Sequence, residues 1–487
     1  DMIAMIAMMA ALLFISLGTG LFKGNLQVMV GDLYNDPKYA DKRDSGFSLF
    51  YMAINVGSLF APTTAVGIKN WAQNDLGYSS NDAYHFAFAV ACVALVVSII
   101  IYYAFRSTFR HVEGGKKNGA AAAQVNDTLT PAETKQRIVA LCLVFAVVIF
   151  FWMAFHQNGL TLTYFADEFT NTTAFGFDTM LFDVWNLVML IVAVYATFSI
   201  FQSTSAKGKL TSGVLATGIL AFLVYRAFGA EGTELAVSAP IFQQFNPFYV
   251  VALTPVSMAI FGSLAKSGKE PSAPRKIAYG MLVAAIGFAI MAVGSQGLNT
   301  PNDQARAIAV NKAETIAKDM NNASDDAARK AAEKAKSDFE GKLTKENKEV
   351  FETVYNASMV TMSADSDQAQ VAAANAELEA IKADTKEETR TSPYWLIFTY
   401  LILTFAELLL SPMGISFVSK VAPPKLKGLM MGGWFVATAI GNMLVAVGGF
   451  LWAGIPLWSV WAVFISLCLL SALFMFIMMK RLESVTK

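Results

Sequence analysis

The sequence predicts an all-α integral membrane protein, and three observations carry that prediction. Of its 487 residues 55% are hydrophobic and only 15% charged, with a mean hydropathy of +0.47. The apolar residues come in long blocks, and a helix needs roughly 20 of them to cross a bilayer. The short connections between the blocks alternate between basic and almost uncharged, as in a chain that crosses repeatedly.

Composition also excludes several classes. Thirty-seven Lys and Arg balance thirty-seven Asp and Glu, so no basic surface for nucleic acid is expected. Cys92, Cys142 and Cys468 each lie inside an apolar run, which predicts neither a disulfide framework nor a metal site. No nucleophile–base set or phosphate loop suggests an enzyme. The chain is apolar from its second residue, without a charged n-region. Residues 2–17 therefore do not read as a signal peptide, and the chain reads as a segment of a longer protein.

Runs of adequate length predict about eleven membrane helices. In order they fall at approximately 2–30, 46–67, 84–106, 137–166, 179–202, 209–229, 242–266, 275–296, 393–420, 427–451 and 456–480. Basic residues cluster at 32–45, 106–137, 203–209, 266–276 and 420–427 and in the tail, whereas 168–178, 230–241 and 452–455 have none and 68–83 has only Lys69. The basic loops and the C-terminus are accordingly expected in the cytoplasm, with the first helix running from outside to inside.

One stretch does not belong in the membrane. Residues 297–391 are rich in Ala, Lys, Glu and Asp, good helix formers of mixed charge. They predict a solvated, extracytoplasmic helical extension, such as a helical hairpin, that serves as a spacer or as a docking or lid element.

Against this background two charges stand out. Glu407 sits near the middle of the apolar run 394–419, and Lys23 is embedded in the first run. A charge at the bilayer centre costs on the order of 2.5–3.5 kcal/mol on insertion scales, and usually faces a water-filled cavity or a partner charge. A pair across a central cavity is expected. Tyr51 and Asn55, four apart, share one helix face. Trp152 and His156 lie together in FWMAFHQNG, Asn246 precedes Pro247 near the start of the seventh helix, and Trp434 stands among glycines in the tenth.

Six stretches resemble the proton-dependent oligopeptide transporters, the peptide branch of the major facilitator superfamily. They are GTGLFKGNLQVMVGDLY (18–34), FSLFYMAINVGSLFAP (47–62), FWMAFHQNG (151–159), FNPFYVVALTP (245–255), FAELLLSPMG (405–414) and GLMMGGWFVATAIGN (428–442). The resemblance implies a two-bundle symporter that imports di- and tripeptides with protons by alternating access. It implies no cofactor, a monomer in the plasma membrane, and small peptides and the lipid bilayer as partners. By that register the first helix here is the family's fourth and the last its twelfth. Residues 1–106 then supply the remainder of the N-terminal bundle, 107–136 a cytoplasmic linker and 137–296 the first part of the C-terminal bundle. The last includes an accessory helix pair at about 179–229. Residues 297–391 form the insertion and 392–487 the last three helices.

Carried over by position, the resemblance makes Lys23 the cation that meets the peptide carboxylate or pairs with the acid. Glu407, Asn55 and Asn246 would receive the peptide's amino terminus. Trp152 and Trp434 would be pocket aromatics, and Tyr51 part of the wall. His156 stands where a glutamate is common and would take over a protonation role, since histidine titrates near neutral pH. Three departures accompany the match. Gly24 replaces the proline usual after the lysine, the accessory pair follows rather than precedes the segment carrying Trp152, and no Glu-x-x-Glu-Arg pattern occurs ahead of Lys23. The last departure implies either a preceding segment or a chain that does not transport by itself.

Overall fold

A computed structural model describes residues 2–34, 38–39, 42–112, 129–363 and 366–485. Among them are eleven helices or helix runs long and apolar enough to span a membrane. Much of the expected linker at 107–136 lies outside the described residues.

The first three spans are α1 (Met2–Leu33), α2 (Arg43–Asn74) and α3 (Ser80–Ala104). After the linker come α4 (Pro131–Phe155) and the short α5 (Thr161–Glu168), joined by a 3₁₀ turn at His156–Gly159. The accessory pair is α6 (Val184–Gln202) and α7 (Ala206–Gly229), followed by α8 (Phe245–Lys266) and α9 (Ala273–Gly294). Local chemistry sets many of the starts. Thr130 and Glu133 form a reciprocal capping box ahead of Pro131, and Ser79, Asp183 and Ser205 cap α3, α6 and α7. Each such oxygen satisfies a backbone N–H that has no partner within the helix.

The insertion is larger than the expected hairpin. It holds four helices, α10 (Pro301–Asn321), α11 (Asp326–Glu340), α12 (Lys345–Met362) and α13 (Gln368–Ala383). Val310, Ala313, Ile316, Phe351, Val354 and Tyr355 give it a separate core. Its apolar residues recur at helical spacing but are small and few, so they are hidden among the charges when the sequence is read alone. Its base is tied to the membrane part: Gln304 donates to the carbonyls of Glu168 (2.7 Å) and Thr389 (2.8 Å), and Arg390 donates to the carbonyl of Thr170 (2.7 Å). A two-stranded antiparallel ribbon, β1 (Thr173–Phe175) with β2 (Glu234–Ala236), closes the same end. The hydropathy pattern contains no hint of it.

The last helices are α14 (Tyr394–Val421), α15 (Lys427–Leu444), α16 (Ala446–Trp452) and α17 (Leu457–Ser484). The expected single helix 427–451 is thus interrupted at Val445, and the expected 137–166 at Leu160. In both places Gln157 takes part: its amide donates to the carbonyls of Met153 (3.1 Å) and Val445 (3.2 Å). The two breaks are therefore stitched together inside the protein, where irregular backbone at membrane depth is tolerated.

The most buried helix is α14, which packs along α9. Three glycines of α9, Gly280, Gly287 and Gly294, face α14. A Cβ on Gly280 would lie 2.8 Å from the Ala406 carbonyl oxygen. Small residues allow this close approach, which in lipid is a main source of helix association. It fixes the backbone immediately next to Glu407. By contrast, residues 2–23 of α1 are all exposed, and α3 is exposed along most of its length. Contacts between α1–α3 and the remaining helices run through α2 against α8 and α14, and through α1 against α15. On the face of the basic loops Lys427 of α15 pairs with Asp32 of α1 at 3.2 Å.

Candidate functional site

Glu407 is 3% exposed and lies where α14 meets α2 and α8. Both its oxygens are engaged. The Tyr51 hydroxyl of α2 donates to Oε1 in a very short bond, and Asn246 Nδ2 of α8 donates to Oε2 at 2.7 Å. Asn246 also reaches Thr404 Oγ1 at 3.0 Å, and Thr404 donates to the Tyr400 carbonyl at 2.7 Å. Burying a carboxyl is tolerable only when its oxygens are bonded, and this cluster supplies the bonds from three helices. Its position is dictated locally. Pro247 stands in the first turn of α8, where a missing N–H costs nothing, and so leaves Asn246 at the helix start facing α14.

The expected residues divide into two sets. Glu407, Asn246 and Tyr51 are in direct contact. Asn55 is next to them and 6% exposed, but its Nδ2 donates to the Tyr51 carbonyl at 3.0 Å, back onto its own helix. Thr404 was not anticipated; its place three residues before Glu407, on the same helical face, is the signal that could have found it. The sequence placed Tyr51 in the wall of the same cavity as Asn55, and in the structure its hydroxyl is a direct partner of the acid.

On α4, Trp152 is 7% exposed and stacks on His156, with centroids 4.9 Å apart and planes inclined by 21°. His156 Nδ1 lies 3.2 Å from the Trp152 carbonyl. Trp152 Nε1 is buried and meets no acceptor among the described residues. Trp434 is 2% exposed and wedged against Phe145 of α4 and against Gly414, where any side chain would collide with its ring. In this conformation Trp434 is packing between α15, α4 and α14 rather than an open pocket face.

Lys23 is exposed, with its Nζ 5.9 Å from the centroid of the Phe435 ring. It forms no ion pair among the described residues, so the expected Lys23–Glu407 pair is not made in this conformation. The physical reason is that both carboxyl oxygens are already taken by neutral donors, Tyr51 and Asn246.

Multiple spans, helices broken at membrane depth, and a buried acid shared between helix groups define a polytopic membrane protein. The chain belongs to the POT family, whose model matches residues 2–131, 226–313 and 357–450. It is 25% identical over 459 residues to the peptide transporter YePEPT of Yersinia enterocolitica, covering 90% of this chain and 67% of that one. It is likewise 25% identical over 321 residues to dipeptide and tripeptide permease B of Salmonella typhimurium, covering 60% of this chain and 56% of that one. The chain thus spans little more than half the length of that second relative. A solved POT family transporter in complex with a thioalcohol conjugated peptide overlaps it with a TM-score of 0.49 at 16% identity, covering 98% of this chain and 76% of that one.

Proposed function

We propose that the protein is a proton-coupled symporter that imports di- and tripeptides by alternating access across the plasma membrane, with the basic loops inside and residues 297–391 outside. The carrying observation is the Glu407 cluster, in which one acid is held by Tyr51 from α2 and Asn246 from α8. A peptide's ammonium offers charged donors to that acid, stronger than the neutral ones it replaces. Whether the carboxyl then holds a proton depends on which partners face it, so substrate and proton occupy linked sites. Lys23, exposed and without an ion pair among the described residues, supplies the cation for the peptide carboxylate. Trp152, with its free indole N–H, and His156 wall the space between. No cofactor enters this scheme beyond the proton, and a monomer suffices.

An inward proton is worth about 2.3 kcal/mol per 100 mV of membrane potential, enough for one or two protons to drive substantial accumulation. The test is uptake of radiolabelled dialanine into proteoliposomes holding the full-length protein. Uptake should follow an imposed proton gradient and be competed by di- and tripeptides. Competition by single amino acids or nitrate instead would mean another small zwitterion or anion as cargo.

A further inference from the structure

A cavity lies between α2 and α8, α9 and α14, on the side of the basic loops. It has a volume of about 240 Å³, and Ser45, Ser257, Glu270, Lys276, Leu408 and Pro412 are among its walls. Leu408 and Pro412 place it directly next to the Glu407 turn, further toward the basic face.

Its unusual member is Lys276. The residue is 3% exposed, and its Nζ lies 2.5 Å from Glu270 Oε1, 3.5 Å from Met413 Sδ and 4.3 Å from the centroid of the Phe261 ring. An ammonium has three N–H donors. One is used on the carboxylate and one meets only a thioether, a weak acceptor, so among the described residues the third has no oxygen or nitrogen to meet. A buried cation held by a single carboxylate is poorly compensated, and a buried donor without an acceptor calls for one. The cavity is roomy enough to admit water and small polar groups, and the Glu270 side chain is 36% exposed, so the pair faces reachable space.

We propose that Lys276 and Glu270 form a second binding station for small carboxylates. Lys276 takes the carboxylate of a peptide passing between Glu407 and the basic face, and Glu270 releases part of its hold to the peptide's ammonium. This rests on the peptide reading above for its cargo, but the anion site itself does not. A structural ion pair alone would leave the cavity indifferent to the charge of what enters it.

The experiment uses the full-length protein with Cys92→Ser, Cys142→Ser and a reporter, Ser257→Cys, in the cavity wall. Labelling rates are compared for an anionic and a cationic methanethiosulfonate reagent of similar size. The anionic reagent should react about tenfold faster, N-acetylalanine should slow it, and both effects should vanish in Lys276→Met/Glu270→Gln. That double change keeps the volume and removes both charges, a swap that buried pairs often tolerate. Equal rates for the two reagents, or a preference unchanged in the double variant, would overturn the station. In inside-out vesicles, peptide should be preferred over its C-terminal amide, and the double variant should reduce that preference severalfold, to the part that Lys23 supplies. Anion-selective labelling in a protein that moves no peptide would sink the peptide reading while leaving the carboxylate site standing.

Discussion

Glu407 and Lys23 are both charges set in apolar sequence, yet the fold treats them in opposite ways. Glu407 sits in the most buried helix, pinned by glycine-mediated packing of α9 on α14 and bonded by Tyr51 and Asn246. Lys23 is exposed on α1, a helix with few neighbours, and has no ion pair among the described residues. On the proposed function, one end of the site is built in advance and the other is left for a ligand to complete. Preorganisation at the acid lowers the cost of binding an amine there.

The contrast implies unequal consequences. Removing the built end should cost most: Glu407→Gln is expected to abolish uptake driven by a proton gradient and to weaken peptide counterflow as well. Lys23→Gln should also abolish gradient-driven uptake while leaving measurable counterflow, which needs no net proton movement. If the two variants lose counterflow equally in a matched assay, the asymmetry between the ends is not functional.

A smaller effect is expected from the neutral donors. Tyr51→Phe removes one hydrogen bond to the acid, worth roughly 0.5–1.5 kcal/mol, so peptide affinity should change by about two- to tenfold. A change of a hundredfold would mean that Tyr51 contacts the peptide itself.

The smallest effect lies outside the membrane. Asp303 at the base of the insertion accepts from Lys386 and from Thr300, each at 2.7 Å. Chiefly the Lys386 bond, then the Thr300 bond, holds its carboxyl below the usual carboxylate range. A depressed value contributes stability above the unfolded carboxylate value, about 3.9, which is lost as pH falls further through the folded value. Asp303→Asn should therefore lower thermal stability slightly at neutral pH, and the difference from wild type should shrink below about pH 4. A gap that widened on acidification would contradict the sign.

How much of this was legible beforehand follows from what each residue's role depends on. The spans were legible because hydropathy over 20 residues is a strong local signal, and Glu407 because a lone acid in such a run is costly. The breaks at Leu160 and Val445 were not: they depend on Gln157 of one helix bonding the backbone of another, a pairing with no local signature. Trp434 read as a pocket aromatic, yet its ring lies on Gly414, twenty residues earlier and on a different helix. Tyr51 was placed on the right face, but whether it lined the wall or held the acid depended on the crossing of α2 and α14. The insertion hid a four-helix core behind its charged surface for the same reason, since Phe351 and Ile316 meet only after the chain turns back.

The central claim is that Glu407 receives the amino terminus of the substrate. Affinities of dialanine and N-acetyl-dialanine, measured by competition for wild type and Glu407→Gln in the same membranes, test it directly. A charge-assisted bond worth roughly 1.5–3 kcal/mol predicts that acetylation weakens binding to wild type about tenfold to a hundredfold, and to Glu407→Gln hardly at all. An equal loss in the two proteins would place the amine elsewhere and contradict the account.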